Sequence, residues 1–488
     1  MHTLELARWQ FAITTVYHFL FVPLTIGLAF LVAGMQTAWV RTGKVHWLRL
    51  THFYGKLFLI NIALGVVTGI VQEFQFGMNW SAYSRFVGDV FGAPLAIEAL
   101  LAFFLESTFI GLWIFGWDRL PKRVHLATIW IVATGTALSA YTILAANSWM
   151  QHPVGYRYNA GRGRAELTDI WAVLTNKVTL VTFPHTLAGC FLTAGALVCA
   201  VALWHLIRDS TSRSASASTS GSGSALGSGS ALGSEDRVAY RAAARLGGWS
   251  TVLGGVALAI TGDLQGKVMT QVQPMKMAAA EALYQSARPA SFSIFTIGSL
   301  DGSRELYALT VPGLLSFLGT GDFGGRVQGI DDLQAQYVAS YGPGSYTPLI
   351  PVTYWSFRLM IGFGVLAGLI ALCSLWSLRR GRTPSSKWLL RAALALPLLP
   401  LAANSLGWIF TEMGRQPWLV FGQLRTADGV SPGVSGGEVL TSLIVFTLLY
   451  AALAVIEVRL LLRYARAGLP AESPPPEAAD EPALSFAY

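Results

Sequence analysis

Long apolar runs alternate with short polar breaks along most of the chain. Runs of about 20 apolar residues mark nine spans, roughly 11–40, 53–76, 93–117, 125–148, 180–207, 243–262, 354–378, 388–412 and 439–463. At ~1.5 Å per residue, a helix of that length crosses a ~30 Å hydrocarbon core. The pattern predicts an all-α integral membrane protein with nine transmembrane helices, and the odd number puts the termini on opposite sides. Two connections interrupt the rhythm. Residues 209–235 are almost pure Ser, Gly and Ala, which cannot bury a core and read as a flexible cytoplasmic linker. Residues 263–352 form a long polar loop with enough Tyr, Phe and Leu to fold over the membrane face. The expected organisation is therefore helices one to five in 1–208, the linker at 209–235, helix six in 236–262, the loop at 263–352, helices seven to nine in 353–467, and a Pro- and Glu-rich disordered tail at 468–488.

Composition agrees: the chain has 488 residues, 53% hydrophobic and only 12% charged, about half the charge of a soluble domain. Its net charge of +8 would suit nucleic acid in a soluble protein. Here the basic residues have a better explanation. Arg41, Lys44, Arg49, Arg119, Lys122, Arg123, Arg208, Arg379, Arg380, Arg382, Lys387, Arg459, Arg463 and Arg466 lie in the loops after spans one, three, five and seven or in the C-terminal flank. The short loops after spans two and eight carry only Arg85, Arg415 and Arg425. The positive-inside rule then puts the N-terminus outside and the C-terminus in the cytoplasm. The first apolar run exceeds a signal-peptide core and reads as a retained helix. The three cysteines, Cys190, Cys199 and Cys373, lie in apolar runs with no CxxC or CxxCH, so no disulfide framework, zinc knuckle or covalent haem is indicated.

Scarce polar groups inside the spans carry the candidate chemistry. The third span holds two carboxylates, Glu98 and Glu106, each costing roughly 2.5–3.5 kcal/mol near the bilayer centre. On a regular helix they lie ~12 Å apart along the axis and ~80° apart around it, a ladder suited to passing protons. Two carboxyls hydrogen-bonded inside a bundle would account for them equally. Of eight histidines, only His18 and His185 sit within apolar runs. A neutral imidazole there can bind metal or haem iron, or simply hydrogen-bond between helices. Met360 is core filler by composition, but Arg358 lies two residues away and needs an anionic partner, a haem propionate being one. Trp408, Glu412 and Arg415 share a helix face, with Glu412 and Arg415 at ion-pair spacing. They close a helix end or hold a cofactor. No HxxxHH, paired transmembrane histidines, P-loop or Gly-rich dinucleotide fingerprint is present.

The segments RWQFAITTVYHFLFVPLT, KLFLINIALGVVTGIVQEFQFGMNWSAYS, VGDVFGAPLAIEALLAFFLESTFIGLWIFGWDRL and GRQPW resemble subunit I of cytochrome bd-type quinol oxidases, over nearly the whole chain. The resemblance implies nine helices and three haems: a low-spin haem b, a high-spin haem b and a haem d. It matches His185 and Met360 to the axial ligands of the low-spin haem, with Arg358 beside it. His18, Glu98 and Glu412 match groups at the two other haems, Arg415 stands near Glu412, and Trp408 lies between haems. Glu106, Ser107 and Asp118 match a cytoplasmic proton route. In QPMKMAAAEALY, Lys276 and Glu281 match a quinol-binding pair, and the loop resembles the short-loop type. The implied activity is quinol:O2 oxidoreduction in a bacterial plasma membrane, electrogenic without a proton pump. The implied partners are a homologous subunit II, small accessory subunits, membrane quinol, O2 and the lipid bilayer, with no nucleic acid. A proton- or ion-coupled transporter and a cofactor-free structural subunit are the competing classes.

Overall fold

The computed structural model describes residues 3–219, 232–299, 302–382 and 384–470. Among these, nine helices are long and apolar enough to cross a membrane. They are α1 (Thr3–Thr42), α2 (Val45–Met78), a third built from α3 (Ser81–Ile97), a π-helical turn (Glu98–Phe103) and α4 (Phe104–Phe115), and then α5 (Lys122–Gln151). A small hairpin, β1 (Tyr156–Asn159) and β2 (Arg164–Leu167), and a short α6 (Ile170–Leu174) lead into α7 (Lys177–Thr219) and α8 (Ser234–Val272). The long loop is folded. It contains α9 (Pro274–Glu281), an antiparallel hairpin of β3 (Phe292–Gly298) and β4 (Glu305–Val311), α10 (Leu314–Thr320) and α11 (Ile330–Tyr341). The last spans are α12 (Ile350–Ser377), the pair α13 (Lys387–Ala395) and α14 (Leu398–Met413), and α15 (Gly436–Ala467), with the strands β5 (Trp418–Val420) and β6 (Leu424–Arg425) between α14 and α15.

Glycine lets the central helices touch backbone to backbone. A Cβ on Gly27 of α1 would lie 2.2 Å from the Cys190 carbonyl oxygen of α7. Between α7 and α8, a Cβ on Gly195, Gly247 or Gly254 would lie 2.7, 2.5 or 2.8 Å from facing main-chain atoms. In lipid no hydrophobic force draws helices together, so such close van der Waals approach and interhelical hydrogen bonds do the work. Tyr54 donates to the Val198 carbonyl at 3.0 Å and Asn61 to the Phe21 carbonyl at 2.9 Å. The chain's beginning, Leu6, packs with Trp80, Trp149, Val173 and Val439 at one end of the bundle. Near its other terminus, the Leu469 amide donates to Tyr240 at the opposite end.

Three expected boundaries shift, each for a local reason. The linker expected at 209–235 begins as helix, since α7 continues to Thr219. Asp209 pairs with Arg213 one turn on, and its carboxylate also accepts the Leu232 amide at 2.9 Å, tying the two ends together. The rest of that segment, 220–231, lies outside the described residues. The loop expected from 263 begins as helix through Val272. Asp263 and Lys267 pair at 2.7 Å one turn apart, so α8 outlasts its apolar run. Residues 468–470 of the expected tail are pinned by Tyr240 and by Arg49, which donates to the Pro470 carbonyl at 2.9 Å. The remainder, 471–488, lies outside the described residues.

Candidate functional site

The two histidines are held alike. His18 Nδ1 lies 2.9 Å from the Thr68 hydroxyl on α2, and His185 Nδ1 lies 3.0 Å from the Thr261 hydroxyl on α8. Neither Nε2 makes a hydrogen bond among the described residues. Phe19, next to His18, stacks on Trp408 of α14, with ring centroids 4.2 Å apart and 13° between planes. Trp408 is thereby placed against the His18 end of α1.

Met360 of α12 packs its sulfur on Gly407, where a Cβ would come within 2.9 Å. Asn404, one turn earlier on α14, donates to Thr193 of α7 at 3.0 Å and sits over Gly189. Gly189 follows His185 by one turn. Gly189, one turn from His185, and the Met360 thioether therefore pack on neighbouring turns of α14.

Arg358 finds its anionic partner within the chain. Its guanidinium pairs with Glu281 of α9 at 2.7 Å, with both side chains nearly inaccessible. Three rings, Phe292, Tyr354 and Phe357, surround it within 5.1 Å. A haem propionate, one candidate partner from the sequence, would share this guanidinium with Glu281. Two further donors, Arg358 Nε and Nη1, remain buried without a partner, as does Arg415 Nε. Burial pushes the Glu281 carboxyl up, and Arg358 opposes it. Glu281 also accepts the Ser293 amide at 3.0 Å, and Ser293 bonds Tyr354 at 2.7 Å, so the β3–β4 hairpin is anchored to this pair.

Lys276 and Glu281 share α9 but serve different partners. Lys276 donates to the Gln151 side-chain oxygen. Gln151 donates to Asn147 at 3.0 Å, and Asn147 donates to Glu412 at 2.9 Å. Glu412 pairs with Arg415, which also donates to the Leu419 carbonyl at 2.6 Å. One hydrogen-bonded chain thus runs from the loop helix α9 through the end of α5 to the end of α14. Gly414 makes room for the lysine stem, since a Cβ there would lie 2.8 Å from Lys276 Cγ. Burial, with the nearby Arg415 charge, lowers the Lys276 ammonium to about 7, against the pull of Glu412.

The two acids of the third span face α5. Ser139 donates to Glu98 at 2.8 Å, and a Cβ on Gly135 would lie 3.1 Å from Glu106 Cγ. Ser139 and Gly135 are one helical turn apart on α5. The geometry of the third span differs from a regular helix, because the π-helical turn at Glu98–Phe103 lies between the acids. The wider turn rotates everything after it; Pro94, lacking an N–H, sits just before. Ser107 is exposed, its hydroxyl 3.4 Å from the Phe104 carbonyl, and Asp118 is exposed beyond the end of α4. Neither bonds Glu106 among the described residues.

Sequence reading missed Thr68, Thr261, Asn147 and Gln151, whose partners are far along the chain. It also missed Glu73 of α2, close enough to Glu98 for their charges to interact. An acid inside an apolar run was a signal available for Glu73.

Intramembrane imidazoles whose Nε2 is unbonded among the described residues, a thioether and half-satisfied buried arginines make this a helical membrane protein with groups that can hold a metal or an anion. The family model for cytochrome bd terminal oxidase subunit I matches residues 6–469, and the chain belongs to this family. It is 45% identical to cytochrome bd ubiquinol oxidase subunit 1 of Bacillus subtilis (strain 168), over 96% of this chain and 94% of the relative. It is 38% identical to cytochrome bd-II ubiquinol oxidase subunit 1 of Escherichia coli (strain K12), over 95% and 96%. The solved bd oxidase of Geobacillus thermodenitrificans superposes with a TM-score of 0.82 at 27% identity, covering 95% of this chain and 98% of that one.

Proposed function

We propose that this chain is the haem-bearing subunit of a terminal oxidase that takes electrons from membrane quinol and reduces O2 to water. The observation that carries this is the His185–Met360 arrangement within a chain of this family. A proton- or ion-coupled transporter would use Glu98, Glu106 and Arg358, but has no need of His185 and Met360 inside the spans. The residues present fit haem: Nε2 of His18 and of His185 makes no hydrogen bond among the described residues, and spare guanidinium donors on Arg358 and Arg415 suit propionates. Bound haems supply reversible one-electron chemistry and an iron that binds O2.

His185 and Met360 would hold a low-spin haem b. His18, Glu98 and Glu412 would serve a high-spin haem b and a haem d, with Trp408 between redox centres and Arg415 balancing charge. Lys276 and Glu281 would bind quinol under the folded loop. The neighbouring β3–β4 hairpin exposes Ile294, Phe295, Ile297, Leu306, Tyr307 and Leu309, an apolar skirt suited to lipid and to lateral quinol entry. With the N-terminus outside, quinol protons would leave at the outer face. Protons for water would rise from the cytoplasm by Asp118, Ser107, Glu106 and Glu98. Charge separation then follows from where protons are released and taken up, without a pump. The chain would sit in a bacterial plasma membrane against a homologous subunit II, with room for small accessory subunits.

The test is a reduced-minus-oxidised absorbance spectrum of the purified complex, together with oxygen uptake on a reduced hydroquinone. A colourless preparation, or one inert toward O2 with quinol, would refute the proposal.

A further inference from the structure

Two histidines on different helices meet the same dipeptide on their neighbours. Thr68 and Gly69 of α2 face His18, and Thr261 and Gly262 of α8 face His185. A Cβ on Gly69 would stand 3.3 Å from His18 Cε1, and one on Gly262 would stand 3.4 Å from His185 Cε1. The glycines let each ring lie close against the facing helix while the preceding hydroxyl reaches Nδ1.

The other partners of the two hydroxyls point to which ring nitrogen carries the proton. A threonine hydroxyl has one hydrogen and two acceptor lone pairs. Thr261 donates its hydrogen to the Ala257 carbonyl at 2.7 Å. Thr68 has the Gly65 and Leu64 carbonyls of its own helix at 2.9 and 3.1 Å. With the hydrogen committed there, the hydroxyl can only accept from the ring. Nδ1 must then be the N–H, and Nε2 of the neutral imidazole is left with its lone pair.

We infer that Thr68–Gly69 and Thr261–Gly262 are a twice-used positioning device that sets the tautomer and plane of His18 and His185, presenting each Nε2 as an unprotonated iron donor. This rests on the reading of both histidines as haem ligands. A hydrogen bond from the distal N–H also makes an imidazole a stronger electron donor and favours ferric iron. Losing it should therefore raise the midpoint potential of the haem concerned.

The test uses the purified two-subunit oxidase carrying Thr261→Val or Thr68→Val, with the serine variants and His185→Ala alongside. Readouts are haem content and a spectroelectrochemical titration of each haem. Thr261→Val should weaken retention of the low-spin haem roughly 10- to 100-fold and raise its midpoint, leaving the oxygen-site haems unchanged. Thr261→Ser should restore both. Thr68→Val should do the same to an oxygen-site haem and spare the low-spin one. Gly262→Ala, which keeps the hydroxyl but crowds the ring, should perturb the low-spin band even if a valine variant fails to assemble. Full haem content with unshifted midpoints in both valine variants, while His185→Ala loses its haem, overturns the inference alone. A complete haem complement in His185→Ala overturns the ligand reading and the inference with it.

Discussion

Replacing Lys276 with methionine should change how stability depends on pH. The ammonium is buried between α9 and the end of α14, and burial with Arg415 lowers it from 10.5 to about 7. The folded protein therefore binds this proton more weakly than the unfolded chain does. Folding is opposed in full below pH 7, and the opposition fades as pH rises toward 10.5. At ~1.4 kcal/mol per pH unit, the penalty is on the order of 5 kcal/mol at pH 6 and about 2 kcal/mol at pH 9. The Gln151 hydrogen bond lost in Lys276→Met contributes at both pH values, so it cancels in the difference. The variant should gain roughly 3 kcal/mol more, relative to wild type, at pH 6 than at pH 9. Thermal unfolding of the detergent-purified complex at the two pH values measures this. Wild type and variant changing in parallel across that range would refute the reasoning. The same titration bears on turnover. If the neutral amine accepts a quinol proton, wild-type quinol oxidation should fall about tenfold per pH unit below 7, and Lys276→Met should lose that limb.

Glu98→Ala and Glu106→Ala should each slow oxygen uptake by roughly 10²- to 10⁴-fold, as loss of a proton-transfer group does. Unchanged turnover in both would remove the proton route. Gly407→Ala puts a methyl within 2.9 Å of Met360 Sδ; the flexible thioether should yield, the helix survive, and the low-spin band shift or broaden in the absorbance spectrum. Glu281→Leu should cost about 3–5 kcal/mol by stranding the buried Arg358 charge, and adding Arg358→Leu should recover much of that. Thermal unfolding of the two single variants and the double closes this cycle, and additive losses would show that the pair is not coupled.

Hydropathy alone located the nine spans found among the described residues, because membrane thickness sets a length and lipid forbids unsatisfied backbone, both of which act locally along the chain. The Glu412–Arg415 pair was legible for the same reason, since its partners are three residues apart on one helix. The ends of α7 and α8 were not, because polar ion pairs rather than apolar residues continue those helices. Nor was the π-helical turn, which changes the phase between Glu98 and Glu106. What only the tertiary structure decided was who meets whom. Arg358 lies 77 residues from Glu281, and Lys276 lies 125 from Gln151. The histidines find their threonines 50 and 76 residues away. A buried polar group must have a partner, so its presence in an apolar run announces a site. Which partner it takes depends on how close two helices come, and glycines facing distant backbones set that approach.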